Sequence, residues 1–282
     1  MPHPVIFDRD LLRARRARAA TLGPVTFLLD RVADDMAERL SAVLRTFDIA
    51  ADLGTPTDAV RRAIARRVGT IAAVVADEEA LPFRDASLDL VVSALALQFV
   101  NDLPGTLIQI RRALKPDGLF LAAMIGGESL AELRAAFAEA EAEIEGGVSP
   151  RVAPFADLRY LGALLQRAGF ALPVTDVDRV TVRYASPMAL MHDLRRMGAG
   201  NALTERRRTP LRRATLRRML EVYAERYADA DGRIRATFEV VWLSGWAPHE
   251  SQQKPLAPGS AKTRLADALK TRELSAGEKA GS

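Results

Sequence analysis

The residues best placed to do chemistry in this chain stand where apolar runs stop. FDIAADLG (47–54) closes on Asp52 and Gly54, and TIAAVVADEE (70–79) closes on acids that include Asp77 and Glu78. LDLVVSALA (88–96) closes through Ala94 and Leu95, and LFLAAMIG (119–126) leads into Gly126 and Gly127. A glycine ending a strand lets backbone approach a ligand closely, and a helix behind it presents unpaired N–H groups. An acid on a neighbouring strand can accept both hydroxyls of a ribose. Asp77 stands 23 residues beyond Gly54, near the offset of about 20 that this role needs. Asp52, Gly54, Asp77, Glu78, Ala94 and Leu95 are therefore the candidate cofactor contacts. Gln98, Phe99, Gly126 and Gly127 are candidates for an acceptor pocket. Each has a plainer alternative: Asp52 as a strand-end cap, Asp77 and Glu78 as solvated loop acids, Gln98 and Phe99 as the packing of a helix start. Asn101 and Asp102 read most simply as the cap of the following helix.

Among the three histidines, His192 falls in a helical, apolar-spaced segment and reads as structural. His249 and Glu250, in HESQQKP (249–255), cluster with glutamines and are further pocket candidates. A metal centre needs three converging ligands, and no local motif supplies them, so no metal is expected.

The elements that must position these residues follow from the apolar pattern. Thr26 to Thr46 carries Phe27, Leu28, Val32, Met36 and Leu40 at helical spacing. The four apolar runs read as strands, separated by helices at 55–68 and roughly 102–114, the latter closed by the KPDG turn (115–118). Alternation of strand and helix with continuous apolar strands implies a parallel sheet covered on both faces. Helices are expected at 129–145, 154–170, 187–197 and 209–228. Two polar–apolar alternating stretches, 174–184 and 237–246, are expected to pair antiparallel at a sheet edge. The expected organisation is an N-terminal helical segment (1–46), an α/β domain (47–247) with a helical insertion (187–228), and a flexible tail (248–282).

With 282 residues, 49% of them hydrophobic and 27% charged, the chain has the composition of an ordinary globular protein. It has no cysteine, which excludes disulfides, thiolate metal sites and cysteine nucleophiles. The pI near 9.7 accompanies a net charge of only +4, because the basic excess is arginine; polyanion affinity is weaker than the pI suggests. No apolar run is long enough to span a membrane. The arginine-rich N-terminus lacks an apolar signal core, so cytoplasm is the expected location, with a mitochondrial-type presequence as the alternative. The arginines of 205–220 read as a solvated helix face over inward Leu211, Leu216, Leu220 and Tyr223. Without interleaved aromatics a nucleic-acid face is the lesser reading.

The order of motifs adds a resemblance. DLG, ADEEALPF (76–83), DLVVSALALQFVNDL (89–103) and LKPDG (114–118) resemble the class I S-adenosylmethionine-dependent methyltransferases. In those proteins the first motif holds the methionine moiety, the acidic segment borders adenine, and the strand before ALALQF opens onto the acceptor pocket. FDRDLLRARRARAA (7–20), the stretch 126–155, RAGF (167–170) and GWAPHESQQKP (245–255) resemble the mitochondrial complex I assembly factor 5 family and its bacterial relatives, over nearly the whole chain. A looser similarity runs to the methyltransferase that esterifies malonyl carrier protein in biotin synthesis. The resemblance implies a Rossmann-like α/β fold with S-adenosylmethionine as cofactor. For the mitochondrial proteins it also implies hydroxylation of an arginine on a protein substrate, the iron–sulfur subunit beside the quinone site of complex I. The expected function is a methyltransferase-like protein acting on or assembling that subunit. The alternatives are a non-catalytic assembly chaperone and an RNA methyltransferase.

The chain departs from the family in its first motif. Where further glycines are usual it reads DLGTPTDAV, and Pro56 removes a backbone N–H. Only one helix and one strand fit before Asp77, so one βα unit is missing. Either the strand at 70–76 moves in beside the first strand, or a gap opens that leaves backbone unpaired. The first outcome is expected for the fold.

Overall fold

The computed structural model describes residues 4–74, 78–253, 260 and 263–271. The first unit, up to Pro248, begins with helices α1 (Arg9–Thr21) and α2 (Phe27–Ser41). It continues with β1 (Phe47–Leu53), α3 (Ala59–Ile64), β2 (Val68–Val74), β3 (Leu88–Ala94), α4 (Leu103–Ala113), β4 (Leu114–Ile125) and α5 (Ala131–Glu145). Then come α6 (Leu158–Arg167), β5 (Ala171–Tyr184), α7 (Pro187–Arg196), α8 (Arg213–Tyr227) and β6 (Ile234–Trp246). The second unit, from His249, contains α9 (Leu265–Leu269).

The six strands form one sheet in the order β2-β1-β3-β4-β6-β5. β2 runs parallel to β1 and pairs with it from Phe47↔Val68 to Leu53↔Val74. The strand following the shortened segment therefore sits directly beside β1, and no gap opens. β5 and β6 pair antiparallel over Ala171↔Trp246 to Tyr184↔Ile234, with β5 at the edge.

Side-chain alternation along the strands divides the core into two layers. Leu90, Val92, Leu119, Leu121 and Ala123 pack with α2, α5, α7 and α8 on one face. Val91, Phe120, Ala122 and Met124 pack with α4 and α6 on the other. Covering both faces is what makes the central strands uniformly apolar.

Several expected bounds shift. The helix expected over 55–68 shortens to the six residues of α3, because Pro56 and the Thr-rich turn before it do not enter the helix. α4 ends at Ala113, and KPDG falls within the irregular start of β4, where Asp117 adopts φ 64° and the pairing with β3 skips from Leu114 to Leu119. His192 is exposed on α7, whose buried face is Leu190 and Leu194. The arginines at 207, 212 and 218 pair with Glu145 and Glu143.

Candidate functional site

β1 leads to β2 on one side of the sheet and, through the chain that follows, β3 lies on the other. The crevice outside the carboxyl ends of β1 and β3 is thus the topological switch point, where open α/β sheets bind ligands. A cleft of about 990 Å³ opens there, and its lining includes Asp52, Gly54, Glu78, Leu95, Gln98 and Phe99. That volume is at the upper end for a small-molecule site.

The floor is built by the turn after β1. Gly54 takes φ +66°, and a Cβ on it would stand 2.5 Å from Glu78 Oε1 and 3.1 Å from Ala96 Cβ. Only glycine fits this turn. Asp52 is 1% exposed. Its carboxylate accepts from the Thr55 hydroxyl and, at 2.9 Å, from Arg61 of α3. Burial pushes the Asp52 carboxyl up, against the opposing pull of Thr55 and Arg61. The Thr55 hydroxyl also accepts from Ala94 N–H at 3.1 Å, which ties the turn to the end of β3. The bulky residue after Gly54 therefore works as a bridge between strand ends. Ala94 serves that bridge through its backbone and does not line the cleft, whereas Leu95 does.

The wall opposite is helix α1. Arg9 donates to both Glu78 and Glu79, and Arg16 lies 3.8 Å from Glu78. Glu78 is 8% exposed, so its charge is compensated inside the cleft wall and not by water. Arg9, Leu12, Arg16 and Ala19 follow one another at helical spacing and put this face toward the cleft. The chain before α1 is fixed by Asn101, whose Oδ1 accepts from Ile6 N–H (2.9 Å) and Phe7 N–H (2.8 Å). Asn101 N–H in turn donates to Glu79 Oε1 at 2.6 Å. Asp102 alone caps α4, accepting from Gly105 N–H at 2.9 Å. Phe99 stacks edge-on with Phe7 (5.5 Å) and Phe155 (6.1 Å), closing the apolar side.

Two leucines on the cleft, Leu95 (φ 52°) and Leu130 (φ 55°), hold left-handed backbone. Such residues cost on the order of 1–3 kcal/mol each and concentrate at functional sites. Gln98 lines the cleft, and its Oε1 is buried with no hydrogen-bond partner among the described residues. Deeper in, Arg151 is held by Glu141, with Nε to Oε1 at 2.7 Å. Burial raises the Glu141 carboxyl, but the Ser149 amide and hydroxyl together with Arg151 outweigh it and hold it below the usual range.

The other expected residues fall elsewhere. Gly126 is buried against Glu239 and Val241, and Gly127 lines a second, smaller cavity with Arg151 and Phe155. His249 and Glu250 are exposed in the second unit, where the His249 ring shares a hydrogen bond of 2.6 Å with the Ser251 hydroxyl. Asp77 lies outside the described residues. Among those described, no group of three or more His, Cys, Asp or Glu residues is arranged to hold a metal ion. No described helix is long and apolar enough to cross a membrane. The sequence does not single out Arg9, Arg16, Arg61 or Thr55, and it suggests a different role for Asn101; the Arg9-Leu12-Arg16-Ala19 periodicity is the one available signal, for the two arginines of α1.

Comparison with known proteins agrees with this architecture. A family model described as a methyltransferase domain matches residues 34–122. The mitochondrial arginine-hydroxylase NDUFAF5 of Danio rerio is 37% identical over 293 residues, covering 95% of this chain and 91% of that protein. Its Homo sapiens counterpart is 38% identical over 294 residues, covering 95% and 85%. The malonyl-(acyl-carrier protein) O-methyltransferase of Laribacter hongkongensis is 36% identical over 255 residues, covering 89% and 82%. The span of 293 aligned positions exceeds this chain's 282 residues, so the relative carries residues that are absent here. Among solved structures, the YcgJ protein of Bacillus subtilis shares the fold with a TM-score of 0.51 at 11% identity, covering 78% of this chain and all but 1% of that one. The names of the NDUFAF5 relatives place them in mitochondria, which overturns the cytoplasmic expectation. By identity and by coverage, the chain belongs to the NDUFAF5 family, on the class I methyltransferase fold.

Proposed function

We propose that this chain binds S-adenosylmethionine in the cleft at the ends of β1 and β3 and acts, as a methyltransferase-like protein, on a protein subunit during assembly of respiratory complex I. The carrying observation is the turn at Gly54, bare on the side that faces Glu78 and flanked by the buried Asp52. The cofactor's ribose hydroxyls, adenine amine and ammonium are donors, and the cleft supplies acceptors in Asp52 and Glu78. Its carboxylate finds Arg61. The residues present thus fit the group. Each carboxylate has about four lone-pair sites, so Glu78 can keep Arg9 and still receive a hydroxyl.

When bound, the cofactor supplies an electrophilic methyl group on a sulfonium. The chain's own part is alignment and exclusion of water. Leu95, Ala96 and Phe99 line the cleft with apolar surface. Arg151, fixed by Glu141, presents a pre-oriented guanidinium on the acceptor side. The protein substrate, on the family resemblance, is the iron–sulfur subunit beside the quinone site, with an arginine as target.

A second reading has its own observation. Asp52 and Glu78 are already paired with arginines of this chain, as expected of an assembly chaperone that has filled its former cofactor site. Mass spectrometry of the iron–sulfur subunit after incubation with the chain and S-adenosylmethionine separates the two. A gain of one methyl group on an arginine is the expected result. Stable association with no change of mass would replace the enzyme reading with the chaperone.

A further inference from the structure

Nine arginines and three carboxylates line the cleft among the described residues. Five of the arginines are matched: Arg9 and Arg16 to Glu78, Arg13 to Asp10, Arg61 to Asp52 and Arg151 to Glu141. The other four, Arg15, Arg18, Arg195 and Arg196, form no salt bridge among the described residues, although the Asp8 carboxylate acts on Arg15 from a distance. They come from two elements that close on each other at the mouth. α1 runs past the turn 198–201 because Gly198 and Gly200 leave room. A Cβ at Gly200 would stand 2.8 Å from Arg15 Nη1, and one at Gly198 would stand 3.1 Å from Arg16 Cγ. Arg15 donates to the Asn201 carbonyl, and Arg196 donates to the Gly23 carbonyl at 2.7 Å.

Arg18, Arg195 and Arg196 stand in last turns of their helices, where the dipole favours a cation. That does not account for Arg15, which is in the middle of α1 and half-buried. Burial, together with the charges of Arg206, Arg18 and Arg195, lowers its pKa against the opposing pull of Asp8. Like charges held this close repel one another, and an anion placed between them relieves both burial and repulsion.

We propose that the mouth of the cleft, between α1 and the end of α7, is the docking surface for an acidic segment of the protein substrate, which brings the target residue to the cofactor. This rests on the reading that the substrate is a protein. It adds that the substrate is recognised through aspartates or glutamates flanking the target. The charged groups span two elements and Arg18 and Arg195 are solvent-exposed, which suits an extended chain with several carboxylates. Matching charges at such a rim mainly speed and orient encounter, so binding is salt-sensitive.

The test is fluorescence anisotropy of a labelled glutamate-rich peptide against the full chain, beside neutral and lysine-rich peptides of equal length. The expected result is binding of the acidic peptide alone. That binding weakens about tenfold in the Arg18→Gln/Arg195→Gln double variant, and falls again between low and physiological salt. Arg195→Glu, a single exposed change, serves if the double variant does not fold. Equal binding of the neutral or basic peptide, or no effect of the substitutions, overturns the proposal. So does preferential binding of single-stranded RNA or of inorganic phosphate, which would assign the mouth to a nucleic acid or to a small anion. Titration of the unmodified chain with S-adenosylhomocysteine reads the cofactor separately, so either reading can fail without the other.

Discussion

Gly54 and Glu141 each carry a consequence that a single substitution exposes. At Gly54, Gly54→Ala must place a side chain in left-handed backbone and against Glu78. The backbone alone costs roughly 1–2 kcal/mol, and the clash displaces the Glu78 carboxylate from the cleft wall. Urea unfolding should show at least that loss; unchanged stability would mean that the turn is not as tight as described. Glu141 has a folded pKa below its ordinary value of 4.5. A carboxyl depressed on folding stabilises the protein above the unfolded value, and that stability is lost as pH falls through the folded one. The window therefore lies below pH 4.5. Glu141→Gln should cost roughly 1.5–3 kcal/mol at neutral pH and flatten the acid limb of the stability profile. Thermal unfolding across that range checks both. Equal slopes in the two proteins would deny Glu141 its pairing with Ser149 and Arg151.

Helix α1 is where element and site meet. Its face toward the cleft supplies Arg9 and Arg16 to Glu78, and Asn101 fixes the segment that precedes it. Asn101→Ala removes both acceptor bonds at once and should loosen the N-terminal segment ahead of the rest of the fold. Hydrogen exchange should rise across residues 6–21 with little change in β3 and β4; uniform protection would show that α1 is held without Asn101. Sequence reasoning placed Asn101 with Asp102 as a helix cap. Half of that stands, since Asp102 does cap α4. Asn101 reaches instead across more than 90 residues to Ile6 and Phe7, a contact that no local pattern encodes. Thr55 is similar. Its place after Gly54, where a glycine is usual, was legible in DLGTPTDAV, but its hydroxyl bridging Asp52 to Ala94 depends on β3 lying next to β1.

The sheet as a whole was legible because its strands are continuous apolar runs at regular intervals, and because 174–184 and 237–246 alternate as edge partners do. The order β2-β1-β3 follows from a chain too short to leave a strand between them. The cleft was less legible: its arginine wall comes from α1 and the end of α7, which the fold brings together from positions more than 170 residues apart. Direct pairing of β2 with β1 predicts that amides of residues 47–53 exchange as slowly as those of 88–94. Fast exchange at β1 would mean an unfilled edge. The proposed function stands or falls on a cofactor site around Gly54 and Glu78 in this shortened sheet. Isothermal titration with S-adenosylhomocysteine tests it most directly, on the unmodified chain and on Glu78→Gln. Binding in the micromolar range is expected, weakened about tenfold by the substitution. An absence of heat at millimolar ligand, or an affinity indifferent to Glu78, would contradict it.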